Sequence, residues 1–288
     1  MLSKRSTDLM TPPPSPKNPV PKPGSPPPGV RFALPTGAIW LSSLSGGEPE
    51  PELLAAGLKR CGQRDAGDWV AWGASSERAW VKGGRLSWKS ALRHSTSRAF
   101  LGRSIPRLQE MGNLLELIER GLPAAEPLLA GVQHNRWGQP TMQFLATREV
   151  PGSVDLEAYL KGATSEQRVE VAASAGHLAS RMHQAGFVHH NYYLRNLVRQ
   201  PDGALTILDP WRGDFSQTAS HYLTDLAGFV ADAGPLLAEP DVERFLEAYG
   251  QESSGSVALP GHAVMRKATD LERRRIEKRN RRRRNRRS

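Results

Sequence analysis

Cysteine is almost missing from this sequence. Cys61 is the single thiol among 288 residues, so no internal disulfide can form and the fold rests on its own core, as expected of a reduced compartment. Long apolar runs are also absent. Nothing approaches the roughly 18 to 20 consecutive residues that a membrane span requires, and Met1 to Met10 lacks the apolar stretch of a secretory leader. These absences make the cytoplasm the expected location. An excess of one charge is missing too, except at one end. Residues 266–288 hold 13 Lys and Arg against three acids and carry the whole formal net charge of +10, whereas residues 37–265 hold 21 basic and 25 acidic groups. That split argues against a globally cationic nucleic-acid-binding fold.

Proline is abundant in one place. Eleven of the 23 prolines fall in residues 1–36, which have too few branched and aromatic side chains to offset ordering entropy, so residues 1–36 read as a disordered, Pro-rich arm. The Arg-rich stretch 256–288, with eight Arg and Lys between 278 and 287, reads as a second disordered tail. Its chemistry suits electrostatic contact with an anionic membrane surface or, non-specifically, with nucleic acid.

Between the ends lies the globular part. WVAWG and RAWVK, around Ser75–Glu77, read as a hairpin. A helix is predicted over about 105–120, with Pro106 in its first turn and Leu108, Met111, Leu115 and Ile118 as its apolar stripe. EPLLAGVQ and TMQFLATREV read as two strands. The second half is mainly helical: DLEAYL, a long helix over about 165–185 that opens on the capping pair Thr164 and Gln167, a short hairpin around PDG, then helices over 221–233 and 241–250.

The chemistry concentrates in His189-His190-Asn191-Tyr192-Tyr193-Leu194-Arg195-Asn196, followed thirteen residues later by Asp209. This is the H-x-(acid)-x-x-x-x-N plus D spacing of a phosphotransferase loop. An acid in the loop takes the proton of the attacking hydroxyl, the amide five residues on binds Mg²⁺, and a carboxylate after the next strand binds the same ion. Here Asn191 holds the acid's position, and an amide cannot take a proton at neutral pH, so His190 or water would have to substitute. The doublet His189-His190 has no Cys, His or acid at ligand spacing nearby, so these residues read as loop histidines bonded to backbone instead of metal ligands. Glu110 shares a helix face with Leu114 and Leu117, a position that favours a Lys partner.

At these residues the sequence resembles the lipopolysaccharide kinase family, the Kdo and heptose kinases, over roughly residues 68–250. LQEMGNLLELIERGLPAAEPLLAG, TDLAGF and RFLEAYG carry the likeness beyond the loop. The resemblance implies an α+β, protein-kinase-like two-lobed fold, with a sheet-rich N-lobe over 60–152, a helical C-lobe over 153–252 and disordered termini. It implies ATP and Mg as cofactors and a sugar or glycolipid hydroxyl as acceptor. It also implies that Lys82 holds the α and β phosphates, with Lys89 as the competing choice, that Glu110 pairs with Lys82, and that Asn196 and Asp209 bind the metal. His189 and Asn191 complete the catalytic loop, and Asp225 braces it from below. Asn191 leaves two expectations open: a phosphotransferase of low activity, or a pseudokinase scaffold whose basic tail holds anionic partners.

Overall fold

Three strand-pairing systems and seven helices, among the described residues, organise the computed structural model of this protein, which describes residues 29–34, 37–43, 50–61, 66–73, 77–89, 91–92, 105–215, 218–252 and 260–285. The N-terminal part is one antiparallel six-stranded sheet in the order β1-β2-β5-β6-β4-β3. Its strands are β1 (Gly29–Leu34), β2 (Gly37–Ser43), β3 (Ala66–Trp72), β4 (Glu77–Arg85), β5 (Pro127–Asn135) and β6 (Pro140–Arg148). Alternation along β4 buries Ala79 and Val81 on one face, where they meet Leu53 of helix α1 (Pro51–Cys61) together with Leu129, Phe144 and Ala146. The other face packs on helix α2 (Pro106–Glu119) through Met111, Leu114, Ala130, Val132 and Leu145.

The predicted hairpin is present, and Trp69 faces Trp80 across β3 and β4. Helix α2 opens with proline at its N-terminus, as the sequence indicates, but its stripe is shifted. Leu108, Met111, Leu114 and Leu117 are buried, while Ile118 is exposed, because the sheet covers the face that Glu110 occupies and not the one centred on Leu115.

The C-terminal part is helical. Helix α3 (Leu156–Gly162) and helix α4 (Ser165–Gln184) follow the sheet, and Thr164 with Gln167 closes the capping box at the start of α4. Helix α5 (Ala219–Ala233) and helix α6 (Glu239–Glu252) pack around α4. Gly176 lets α4 and α6 touch: a Cβ there would lie 2.3 Å from the Phe245 carbonyl. Short strands hold the loops between helices. β7 (Val154–Asp155) pairs with β9 (Leu197–Arg199), β9 pairs with β10 (Leu205–Ile207), and β8 (Phe187–Val188) pairs with β11 (Asp214–Phe215).

At both ends the described residues carry regular structure. Gly29–Leu34, inside the arm expected to be disordered, forms edge strand β1 against β2; residues 1–28 lie outside the described residues. The basic segment expected to be disordered over 256–288 contains helix α7 (Gly261–Arg284). Its composition hides an apolar seam. Val264 and Ala268 are buried in the C-terminal core, Leu271 packs against it, and Arg275 lies 4.8 Å over the Tyr193 ring and 3.3 Å from Asp232. No helix among the described residues is long and apolar enough to cross a membrane.

Two expected outcomes test this packing. Val264→Ala should lower unfolding free energy in urea by about 2 kcal/mol, from lost methyl burial and the residual cavity, whereas Ile276→Ala, on the exposed side at 47% exposure, should change it by less than about 0.5 kcal/mol. Equal effects would place α7 off the core. The second concerns alkali. Burial pushes the Tyr249 hydroxyl from 10.0 up to about 12, so between those values the unfolded chain releases a proton that the folded chain keeps. Stability must therefore fall as pH rises through that window, and Tyr249→Phe should flatten the fall.

Candidate functional site

The site is assembled where three segments meet at the junction of the sheet and the helical part. Strand β4 places Lys82 in register between Gly67 of β3 and Leu145 of β6. Helix α2 contributes Glu110, which is fully buried, and the segment after β10 contributes Asp209. Lys82 forms an ion pair with Glu110 and places Nζ 2.7 Å from Asp209 Oδ1. A carboxylate with no exposure is tolerated only when cations meet it. Arg107 supplies a second one. In the first turn of α2 and three residues before Glu110, it lies 2.7 Å from Glu110 Oε2 and 3.3 Å from Asp209 Oδ1.

The four charges form a ring of two acids and two bases. Burial opposes the charge on Asp209, yet Lys82 and Arg107 outweigh it and hold the carboxyl below its ordinary value. Asp209 also sits at φ +52°, a left-handed conformation that non-glycine residues seldom adopt away from functional segments. Asn113 of α2 pins the turn after Asp209, donating to the carbonyls of Pro210 at 2.7 Å and Gly213 at 2.9 Å. Lys89, the competing lysine, lies beside Trp88 with Nζ 5.6 Å from that ring and takes no part in the ring of charges.

The loop 189–196 lies across from this ring. The Asp225 carboxylate accepts from the His189 amide at 2.7 Å and stands 3.4 Å from His183 Nε2. His189 Nε2 bonds to the Leu208 carbonyl at 3.0 Å, and burial lowers the pKa of its imidazole, which keeps the ring neutral. Tyr192 anchors the loop by donating to the Ala175 carbonyl at 2.9 Å. Asn196 donates its amide N–H to the Asn191 carbonyl at 2.7 Å, so the residue at the acid's position is tied through its backbone to the amide five residues later.

A cavity of about 610 Å³ opens between these groups, lined by Lys82, Arg107, Glu110, Asn196 and Asp209 and, on the sheet side, by Trp69 and Trp80. The two indoles meet edge to face with ring centres 5.1 Å apart. Lys82, Glu110, Asn196 and Asp209, singled out from the sequence, thus converge on one cavity. His189 contacts it only through the backbone of Leu208, since its own side chain is buried beneath.

Arg107 escaped the sequence reading. Its signal was present, a basic residue in a helix's first turn three positions before a buried acid. Two other placements were not legible. His190 lies beside Asp214 and His221, which corrects the expectation that no ligand-type residue stands near the histidine doublet: β11 and α5 bring in residues remote in sequence. Arg148 stacks over Trp72 at the cavity's sheet-side rim.

The model of the lipopolysaccharide kinase (Kdo/WaaP) family matches residues 73–249, more than half of the chain and the stretch that supplies most of the cavity's lining. The chain belongs to this family. The comparison with curated proteins finds no match. Membership in the lipopolysaccharide kinase family makes this a kinase-like phosphotransferase fold, with a nucleotide and a divalent metal as the family's general requirements, and the sheet-rich and helical parts fit that assignment.

Breaking the ring tests its energetic weight. Glu110→Gln should cost about 3 kcal/mol of unfolding free energy, because it leaves two partly buried cations sharing one acid. Arg78→Ala, which removes an exposed pair with Glu149, should cost less than about 1 kcal/mol. Similar costs would mean that the ring is only a surface arrangement.

Proposed function

We propose that this protein transfers the γ-phosphoryl group of ATP to a hydroxyl of a sugar or glycolipid, at a rate limited by Asn191. The single observation that carries the reading is the convergence of Lys82, Glu110, Asn196 and Asp209 on one cavity. In this reading the N-lobe spans 60–152 and the C-lobe 153–252, with nucleotide held between them. Lys82 and Arg107 orient the phosphates, and Glu110 keeps both cations in place. The donor set suits magnesium, a hard ion that takes oxygen ligands: Asp209 offers a carboxylate, and Asn196, whose N–H group is committed to Asn191, offers its amide oxygen. When bound, the ion neutralises charge that develops on the phosphates.

Phosphoryl transfer has a loose transition state in which positioning and electrostatics dominate, so loss of a base slows the reaction without abolishing it. Asn191 can still accept a hydrogen bond from the acceptor hydroxyl but cannot take its proton. His189 is buried and held neutral, bonded to Leu208, and acts by fixing the loop. A second reading, a pseudokinase scaffold that binds nucleotide without efficient turnover, is favoured by one observation, the amide at position 191. In either case the basic outer side of α7 would meet an anionic surface, at the cytoplasmic face of a membrane or on nucleic acid.

Mg-ATP at about 100 times its dissociation constant should raise the thermal midpoint by roughly 5 to 10 °C, and Asp209→Ala should remove the shift. Asn191→Asp should raise phosphotransfer or ATP hydrolysis at least about tenfold, within the usual range of a general base. Should Asn191→Asp bind Mg-ATP without a gain in turnover, the scaffold reading holds.

A further inference from the structure

His190, Asp214 and His221 lie outside the ring of charges and take no part in the proposed phosphoryl transfer. They come from three segments: the loop after β8, strand β11, and the first turn of α5. Antiparallel pairing of Asp214 with Val188 sets Asp214 two residues across from His190, and the His221 amide, bonded to the Thr218 carbonyl at 2.9 Å, starts α5 beside them. One ligand-type atom of each residue lies within 4.8 Å of the others. His190 Nε2 stands 3.3 Å from Asp214 Oδ2, and the two imidazoles meet at 4.9 Å between centres with their planes 74° apart.

We propose that these three side chains form a binding site for a divalent transition-metal ion of the zinc class. Nitrogen and oxygen ligands about 2.0–2.1 Å from zinc stand roughly 3.4 Å apart in a tetrahedron, which is the separation already present between His190 and Asp214. A closure of the third ligand by at most about 1.4 Å, within the reach of a side-chain rotation, completes the set. Two imidazoles and one carboxylate select this class of ion, whereas the amide and carboxylate of Asn196 and Asp209 suit magnesium. Donor chemistry thus sorts two ions between neighbouring sites. With His190 at 24% and Asp214 at 57% side-chain exposure, the site opens to solvent, and a fourth position is left for water.

The consequence falls on the loop. His190 sits at φ +60°, a strained conformation for a residue with a Cβ, immediately before Asn191. An ion held by His190, Asp214 and His221 clamps that conformation to β11 and α5 and withdraws His190 from any role as a base. The proposal does not depend on the phosphotransferase reading, because none of its ligands touches the cavity.

The test uses the full chain, stripped with a chelator and titrated with zinc chloride in the absence of nucleotide. One ion per chain should bind, and Asp209→Ala should bind it equally well, which separates this site from the magnesium site. His221→Ala and Asp214→Asn should each weaken zinc at least about tenfold. Zinc-edge X-ray absorption on the unaltered protein, which requires no variant to fold, should show two imidazoles and oxygen ligands without sulfur. No zinc binding, or undiminished binding by the His221→Ala/Asp214→Asn double variant, or a thiolate in the ion's coordination shell, would overturn the proposal.

Discussion

A carboxylate without solvent is the constraint on which the rest of this structure depends. Glu110 is fully buried between sheet and helix, and a charge so placed requires cations from other segments. Lys82 from β4 and Arg107 from α2's first turn meet it and also reach Asp209, 127 residues beyond Lys82 in sequence. One buried acid therefore ties together the central sheet, the helix against it and the segment leaving the helical part. That same knot puts two cations and a carboxylate along one wall of the cavity, so the feature that fastens the two parts together also forms the phosphate end of the proposed site.

A second buried acid organises the opposite wall. Asp225 of α5 caps the His189 amide, and its helix also contributes Asp232, which accepts from the Leu194 amide at 3.1 Å. The loop 189–196 is thereby suspended from α5 at two points, the amides of His189 and Leu194. Helix α7 packs on α5 in turn and places Arg275 over Tyr193, with Arg195 on the same ring. The basic C-terminal helix thus packs against the loop through Arg275 and Tyr193.

Most of the helical part was legible in the sequence because its signals are local. The capping pair at Thr164 and Gln167 and the loop spacing from Asn191 to Asp209 are each read from one short stretch of chain. Glu110 was legible for a related reason, since an acid on an apolar face demands a partner. What escaped depends on tertiary context. The apolar seam of α7 consists of Val264 and Ala268, buried in the C-terminal core, and Leu271, packed against that core, inside a strongly basic sequence, and only the presence of α5 makes those three residues worth ordering a helix. Strands β1 and β2 pair at the sheet's edge, where β5 supplies the template. Arg107 and the His190, Asp214 and His221 cluster gain meaning from residues that approach only after folding.

The central claim is that Lys82 and Arg107, held in place by Glu110, form the phosphate-binding side of a nucleotide cavity. Titration calorimetry of Mg-ATP and of adenosine against Lys82→Met and Arg107→Met tests it most directly, because the two ligands share a base and sugar and differ in phosphates and metal. The account predicts that each substitution weakens Mg-ATP at least about tenfold, the loss of one charge-assisted contact, while leaving adenosine within about twofold. Equal losses for both ligands, or undiminished Mg-ATP affinity in both variants, would contradict it.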